Sequence, residues 1–113
     1  MIYVDPLTEY ARDQIKPEAR KFGTRWCHMI ADTPAELHAM ASDIGLRVEW
    51  HQTSGNRAAL NHYDLTPSKR ALALRRGVKE ITHEQFRHML ASRVGAEIKA
   101  EIAAAPVGWE RQQ

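Results

Sequence analysis

The chain has 113 residues, 43% hydrophobic and 27% charged, with 16 basic and 14 acidic side chains and a formal net charge of +2. That is enough for one ordinary globular core and too little for two. No apolar run has the length of a membrane helix and Met-Ile-Tyr-Val-Asp is no signal peptide, so a cytoplasmic protein is expected. A single cysteine, Cys27, excludes an internal disulfide and a cysteine-rich zinc site.

Ile2 to Asp5 reads as a first strand, ended by Asp5 and Pro6. The segment 7–25 is polar and of mixed charge, and Pro17 and Gly23 interrupt any long helix. It is expected to be a loop excursion with at most a short helix, acting as a lid or as a plain surface insertion. Trp26 to Ala31 is a buried strand with Trp26, His28 and Ile30 on one face and Cys27, Met29 and Ala31 on the other. Asp32 ends it. Thr33-Pro34-Ala35-Glu36 then forms a capping box with proline at the first helical position. Leu37, Met40, Ala41 and Ile44 give the helix its apolar stripe, and Gly45 ends it.

Leu46, Val48 and Trp50 alternate with Arg47, Glu49 and His51, the pattern of a strand with one polar face, and 53–61 reads as a loop. His62-Tyr63-Asp64-Leu65 leads into Thr66-Pro67, a second threonine cap, before a short helix ended by Gly77. Val78 to Ile81 is a short strand. Thr82 to Gln85 is another capping box, opening a helix with Phe86, Met89, Leu90 and Arg93 on one face. Gly95 breaks or bends it, and Ile98 and Ile102 carry the pattern on towards Pro106, leaving 106–113 as a frayed tail.

Strands alternating with capped helices predict a single small α/β domain over 1–105, with a mostly parallel sheet of three to four strands. In such a sheet the strand C-termini share one edge, which would bring Asp5 and Asp32 together at a cleft.

Met-Ile-Tyr-Val-Asp, then Trp-Cys-His-Met-Ile-Ala-Asp-Thr with Glu-Leu-His-Ala, then His-Tyr-Asp with Ser-Lys-Arg-Ala carry a resemblance. The chain resembles, over roughly residues 1 to 85, the small bacterial and bacteriophage proteins of domain-of-unknown-function family 4031. The resemblance implies a bacterial cell or a phage-infected host and brings no activity with it. The excursion 7–25 and the segment beyond Val94 look peculiar to this member.

Function must therefore be read from the polar residues. His28, His38, His62 and Asp64 offer imidazole and carboxylate ligands of the mix that suits zinc, manganese or iron, with Asp5 and Asp32 as catalytic carboxylates that orient water. No familiar metal motif is present, and each histidine taken singly has a hydrogen-bonded structural role as its alternative. Asp32 can equally serve as a helix N-terminal carboxylate. His51, His83 and His88 read as solvated positions, and Cys27 as a small buried hydrophobe. Lys69, Arg70, Arg75, Arg76 and Lys79 follow one another without an acid; Lys69 and Arg70, in a first helical turn, could hold a phosphate or a nucleic acid. Two readings survive. One is a metal-dependent hydrolase acting on a phosphoester or nucleic acid, and the other is a non-catalytic accessory module that binds protein or nucleic acid.

Overall fold

A strand followed by a proline-started, threonine-capped helix is the unit this chain uses twice, and its antiparallel strands decide how the units assemble. The computed structural model describes residues 1–53, 57 and 60–104. In chain order the elements are β1 (Ile2–Val4), β2 (Thr8–Glu9), β3 (Arg25–Ala31), α1 (Pro34–Asp43), β4 (His51–Gln52), β5 (His62–Leu65), α2 (Pro67–Arg75), β6 (Lys79–Glu80) and α3 (His83–Ala103). Short 3-10 turns lie at Arg12–Gln14, Pro17–Phe22 and Val48–Trp50.

The sheet order is β4-β5-β3-β1-β6, with β2 added against the start of β3. Among the described residues only β1 and β6 pair in parallel; β3 runs antiparallel to β1, β2 and β5, and β4 antiparallel to β5. The mixed α/β class is as expected, but the predicted mostly parallel sheet is corrected to a mostly antiparallel one. The reason is adjacency. The two helical crossovers do join strands of like direction, β3 to β4 through α1 and β5 to β6 through α2, yet β5 lies between the first pair and β3 and β1 between the second.

One face of the sheet carries Val4, Cys27, Met29, Ala31, Tyr63 and Leu65, which pack with Leu37 and Ala41 of α1, Ile44, and Ala73 of α2. Each large side chain buried there contributes about 1.5–3 kcal/mol. The opposite face carries Ile30, Asp5, His28, His62 and Asp64, and Phe86 of α3 lies on it, its ring stacked 5.1 Å from that of His28 at an interplanar angle of 19°. No residue of α3 is fully buried, so the helix covers this face only in part.

The caps form largely as the sequence predicts. Thr33, Thr66 and Thr82 each accept the N3 amide, and Gln85 returns to the Thr82 amide to complete a capping box. Glu36 departs from expectation. Its carboxylate takes the Thr33 hydroxyl and the Met1 ammonium instead of the cap amide. Gly45 and Gly77 both adopt positive φ, 82° and 89°, and close α1 and α2 as left-handed residues that a side chain would strain. α3 runs unbroken through Gly95.

The excursion 7–25 contains no α-helix. It folds back on β3 as β2, and Arg20 staples its turns by donating Nε to the carbonyls of Arg12 and Ile15 at 3.1 and 3.0 Å. The strand expected from Leu46 to His51 is a 3-10 turn followed by two residues of β4, because Val48, 65% exposed, has no apolar surface to face. Most of the predicted loop 53–61 and the predicted tail 106–113 lie outside the described residues. Among the described residues no helix is long and apolar enough to cross a membrane.

Candidate metal centre

Register assembles the site. The antiparallel ladders set Val4 opposite Met29, and His28 opposite Asp64, so Asp5, His28 and Asp64 stand in one row across β1, β3 and β5. His62, two residues before Asp64, shares its face. One nitrogen from each of His28 and His62 and one oxygen of Asp64 all lie within 4.8 Å of one another. Asp64 Oδ1 is 3.5 Å from His62 Nε2 and 3.9 Å from His28 Nε2. Around a zinc-sized ion, tetrahedral ligand atoms stand roughly 3.3 Å apart, so small side-chain rotations would close the group on one cation.

Each member is held by its other end. Asp5, only 2% exposed, accepts from the His28 backbone amide at 2.6 Å through Oδ1 and faces His28 Nδ1 at 2.9 Å through Oδ2. A carboxylate can only accept, so Nδ1 carries a proton, and in the neutral ring Nε2 keeps its lone pair on the side of Asp64. The same hydrogen bond, ahead of the opposing effect of burial, raises the pKa of His28. His62 Nδ1 lies 2.9 Å from the carbonyl of Leu60, which fixes the same tautomer, and Gln52 Nε2 donates to Asp64 Oδ2 at 2.5 Å. A carboxylate or carbonyl behind each imidazole is the arrangement by which metal-binding histidines are aimed.

Of the other site residues predicted from sequence, Asp5 stands at the cluster and Lys69 in its cleft, while Asp32, His38 and Arg70 lie outside it. Antiparallel pairing of β1 with β3 puts Asp32 at the opposite end of the ladder from Asp5, beside the Met1 ammonium at 3.0 Å and Arg93 at 3.4 Å. It therefore has no place at the cluster, because the shared edge required parallel strands. Asp5 is at the cluster, but both its oxygens are committed to His28, so it orients a ring and not a water. His38 Nδ1 meets the Tyr63 hydroxyl at 2.8 Å and its ring lies 4.7 Å from that of His51, on the core side of β5. It is not among the three converging groups. His51 Nε2 is a buried ring nitrogen with no partner among the described residues.

Lys69 and Arg70 have other partners too. Lys69 Nζ donates to the Ile44 carbonyl at the end of α1, 2.8 Å away. Arg70 donates Nε to the Asp5 carbonyl at 2.9 Å and a second nitrogen to Glu80 at 2.8 Å. Each cation thus holds a backbone carbonyl, Arg70 also the Glu80 carboxylate, while Lys69 lines the cleft that holds His28, His62 and Asp64. Cys27, on the core face, has its thiol pushed up to about 12, chiefly by burial.

The three groups open into a cleft of about 780 Å³ between the excursion, the 48–50 turn and the start of α2. Tyr10, Phe22, Trp26 and Trp50 line it together with His28, His62 and Asp64. Sequence reading missed Gln52 and the Leu60 carbonyl, which act through neighbours that only the β4–β5 ladder brings near. It also missed His83, whose Nδ1 stands 3.8 Å from Asp5 Oδ2. The aromatic wall was visible only as scattered apolar residues in segments assigned to loop and strand.

Fold and site together define a small α/β protein with a two-histidine, one-aspartate cluster set into an aromatic-walled cleft. The chain belongs to the family described as protein of unknown function (DUF4031), whose model matches residues 2–93. That span runs across the excursion 7–25 and ends before the segment beyond Val94. No curated protein and no solved structure matches the chain significantly.

Proposed function

We propose that His28, His62 and Asp64 hold one divalent transition metal, zinc, manganese or iron, and that the cleft is the active site of a metal-dependent hydrolase acting on a phosphoester. The observation that carries this reading is the convergence of three ligand atoms, each freed by a partner on the far side of its own side chain. Two imidazoles and one carboxylate are a donor set for these metals and not for magnesium or calcium. A metal held by His28, His62 and Asp64 would supply the activation of a water for attack near neutral pH. The chain supplies the rest. Asp5 fixes the tautomer of His28, the Leu60 carbonyl that of His62, and Gln52 the rotamer of Asp64, while Phe86 stacked on His28 shields one side from water. In hydrolysis the water oxygen bonds to phosphorus, the ester P–O bond breaks, and the proton shed by the water ends on the leaving oxygen.

Metal analysis of protein purified without chelators tests this directly. Close to one equivalent of zinc, manganese or iron, lost in His62→Ala, is expected. Protein without bound metal that also fails to hydrolyse a phosphodiester after metal addition would favour the accessory-module reading.

A further inference from the structure

The outer wall of the cleft leaves aromatic surface in water. Phe22 of the excursion stands between the indoles of Trp26 and Trp50, with ring centroids 6.5 Å from each and interplanar angles of 89° and 63°. Phe22 is 48% and Trp50 43% exposed, and both line the cleft that holds His28, His62 and Asp64. Three rings meeting edge to face, two of them about half exposed, give a further ring an aromatic surface to pack against.

The charges around the wall narrow the ligand. Lys21 Nζ lies 5.2 Å from the centroid of Phe22, and Lys16 lines the cleft. Neither ammonium has a carboxylate within ion-pair distance among the described residues. Of the acids at the mouth, Glu49 is held by Arg47 at 3.1 Å, while Glu18 faces solvent. A cationic ligand at the Phe22 face would meet the Lys21 ammonium. A neutral planar ring with an anionic group attached meets no such opposition.

We propose that the wall is a base-stacking subsite and that the cleft takes a nucleotide, with its nucleobase against Trp50 and Phe22 and its phosphate towards Lys16 and the His28–His62–Asp64 cluster. A free nucleotide and the end of a single strand offer this same chemistry, and a cleft of about 780 Å³ has the size of a small-molecule site. The phosphate half rests on the metal-centre reading above; the base half rests on the aromatic wall alone.

Calorimetric titration of the full chain, loaded with manganese, with adenosine, adenosine 5′-monophosphate, ribose 5-phosphate and a short single-stranded oligonucleotide tests both halves. Trp50→Leu is expected to weaken adenosine and the monophosphate about tenfold, and Trp50→Phe to restore most of that loss, while ribose 5-phosphate, which has no base, is unchanged. Phe22→Leu repeats the test should Trp50→Leu fail to fold by circular dichroism. His62→Ala should weaken the monophosphate and spare adenosine. If it spares both while Trp50→Leu weakens adenosine, the base subsite stands and the metal-centre reading falls. An oligonucleotide bound more tightly than the monophosphate assigns the site to a strand end, and equal affinities assign it to a free nucleotide. Absence of adenosine binding, or equal weakening of adenosine and ribose 5-phosphate by Trp50→Leu, overturns the inference.

Discussion

Replacing Asp5 by asparagine changes one atom of a buried side chain and, by the geometry here, moves a proton across an imidazole ring. The carboxylate offers two acceptors to two N–H donors of His28, at 2.6 and 2.9 Å. An amide has only one acceptor. The backbone N–H of His28 cannot do without it, so the amide oxygen stays there and the NH2 group faces Nδ1. That nitrogen must then give up its hydrogen, the proton settles on Nε2, and the nitrogen aimed at Asp64 and His62 loses its lone pair. Because an N–H···N bond replaces the charge-assisted one, the expected loss of stability is only about 1 kcal/mol. Asp5→Ala, which strands both donors, should cost about 3–5 kcal/mol, or roughly 10–20 °C in melting temperature for a domain of this size. Metal affinity in Asp5→Asn should fall about 10–100-fold despite near-normal stability. Urea unfolding gives the first quantity and competition with a chromophoric chelator the second. Equal metal affinity in Asp5→Asn and the unmodified protein would refute the tautomer reasoning.

Arg70→Met should cost about 2 kcal/mol, by freeing the Asp5 carbonyl, and Lys69→Met about 1 kcal/mol, by freeing that of Ile44; a weakened phosphate affinity with unchanged urea midpoints would return these residues to a ligand role. Cys27, with its thiol at about 12, should react with a disulfide reagent at pH 8 on the order of a thousandfold more slowly in the folded than in the unfolded chain, and rapid labelling of native protein would contradict its burial. Burial first, and His38 next, lower the pKa of His51. The native state thus binds fewer protons there than the unfolded chain, so His51 adds stability above the unfolded value near 6.5 that is lost as pH falls through its folded pKa. His28, with a raised pKa, acts in the opposite sense. The difference in urea midpoint between the unmodified protein and His51→Gln should therefore shrink as pH falls from 7.5 to 5.5, and a constant difference would show that His51 is not desolvated.

Local signals in the sequence were reliable where neighbours in the chain settle the structure. The threonine caps with proline at N1, the glycine stops and the face alternation of β3 all follow from residues a few positions apart. Sheet order does not. Whether Asp5 meets His28 or Asp32 depends on which strands pair, and the helical crossovers concealed two antiparallel neighbours between strands of like direction. His28, His62 and Asp64 could be singled out because a histidine on a buried strand and a His-x-Asp at a strand end are unusual enough to be noticed. His38 was indistinguishable from them until its ring was placed against Tyr63. Gln52 and Leu60 had no signal of their own and Phe86 showed only as part of an apolar helix face, since their roles exist only through contacts made across the sheet.

The account turns on whether three side chains from two strands share one ion, and thermal unfolding against metal concentration tests that most directly. Metal bound only by the folded state stabilises it by RT ln(1 + [L]/Kd), about 2.7 kcal/mol at a hundred times Kd. Zinc or manganese should raise the melting temperature of the unmodified protein in proportion to the logarithm of its concentration. His28→Ala, His62→Ala and Asp64→Ala should abolish the rise, whereas His88→Ala, on the exposed side of α3, should retain it in full. No rise with zinc, manganese or iron, or its loss in His88→Ala as completely as in His62→Ala, would contradict the metal centre.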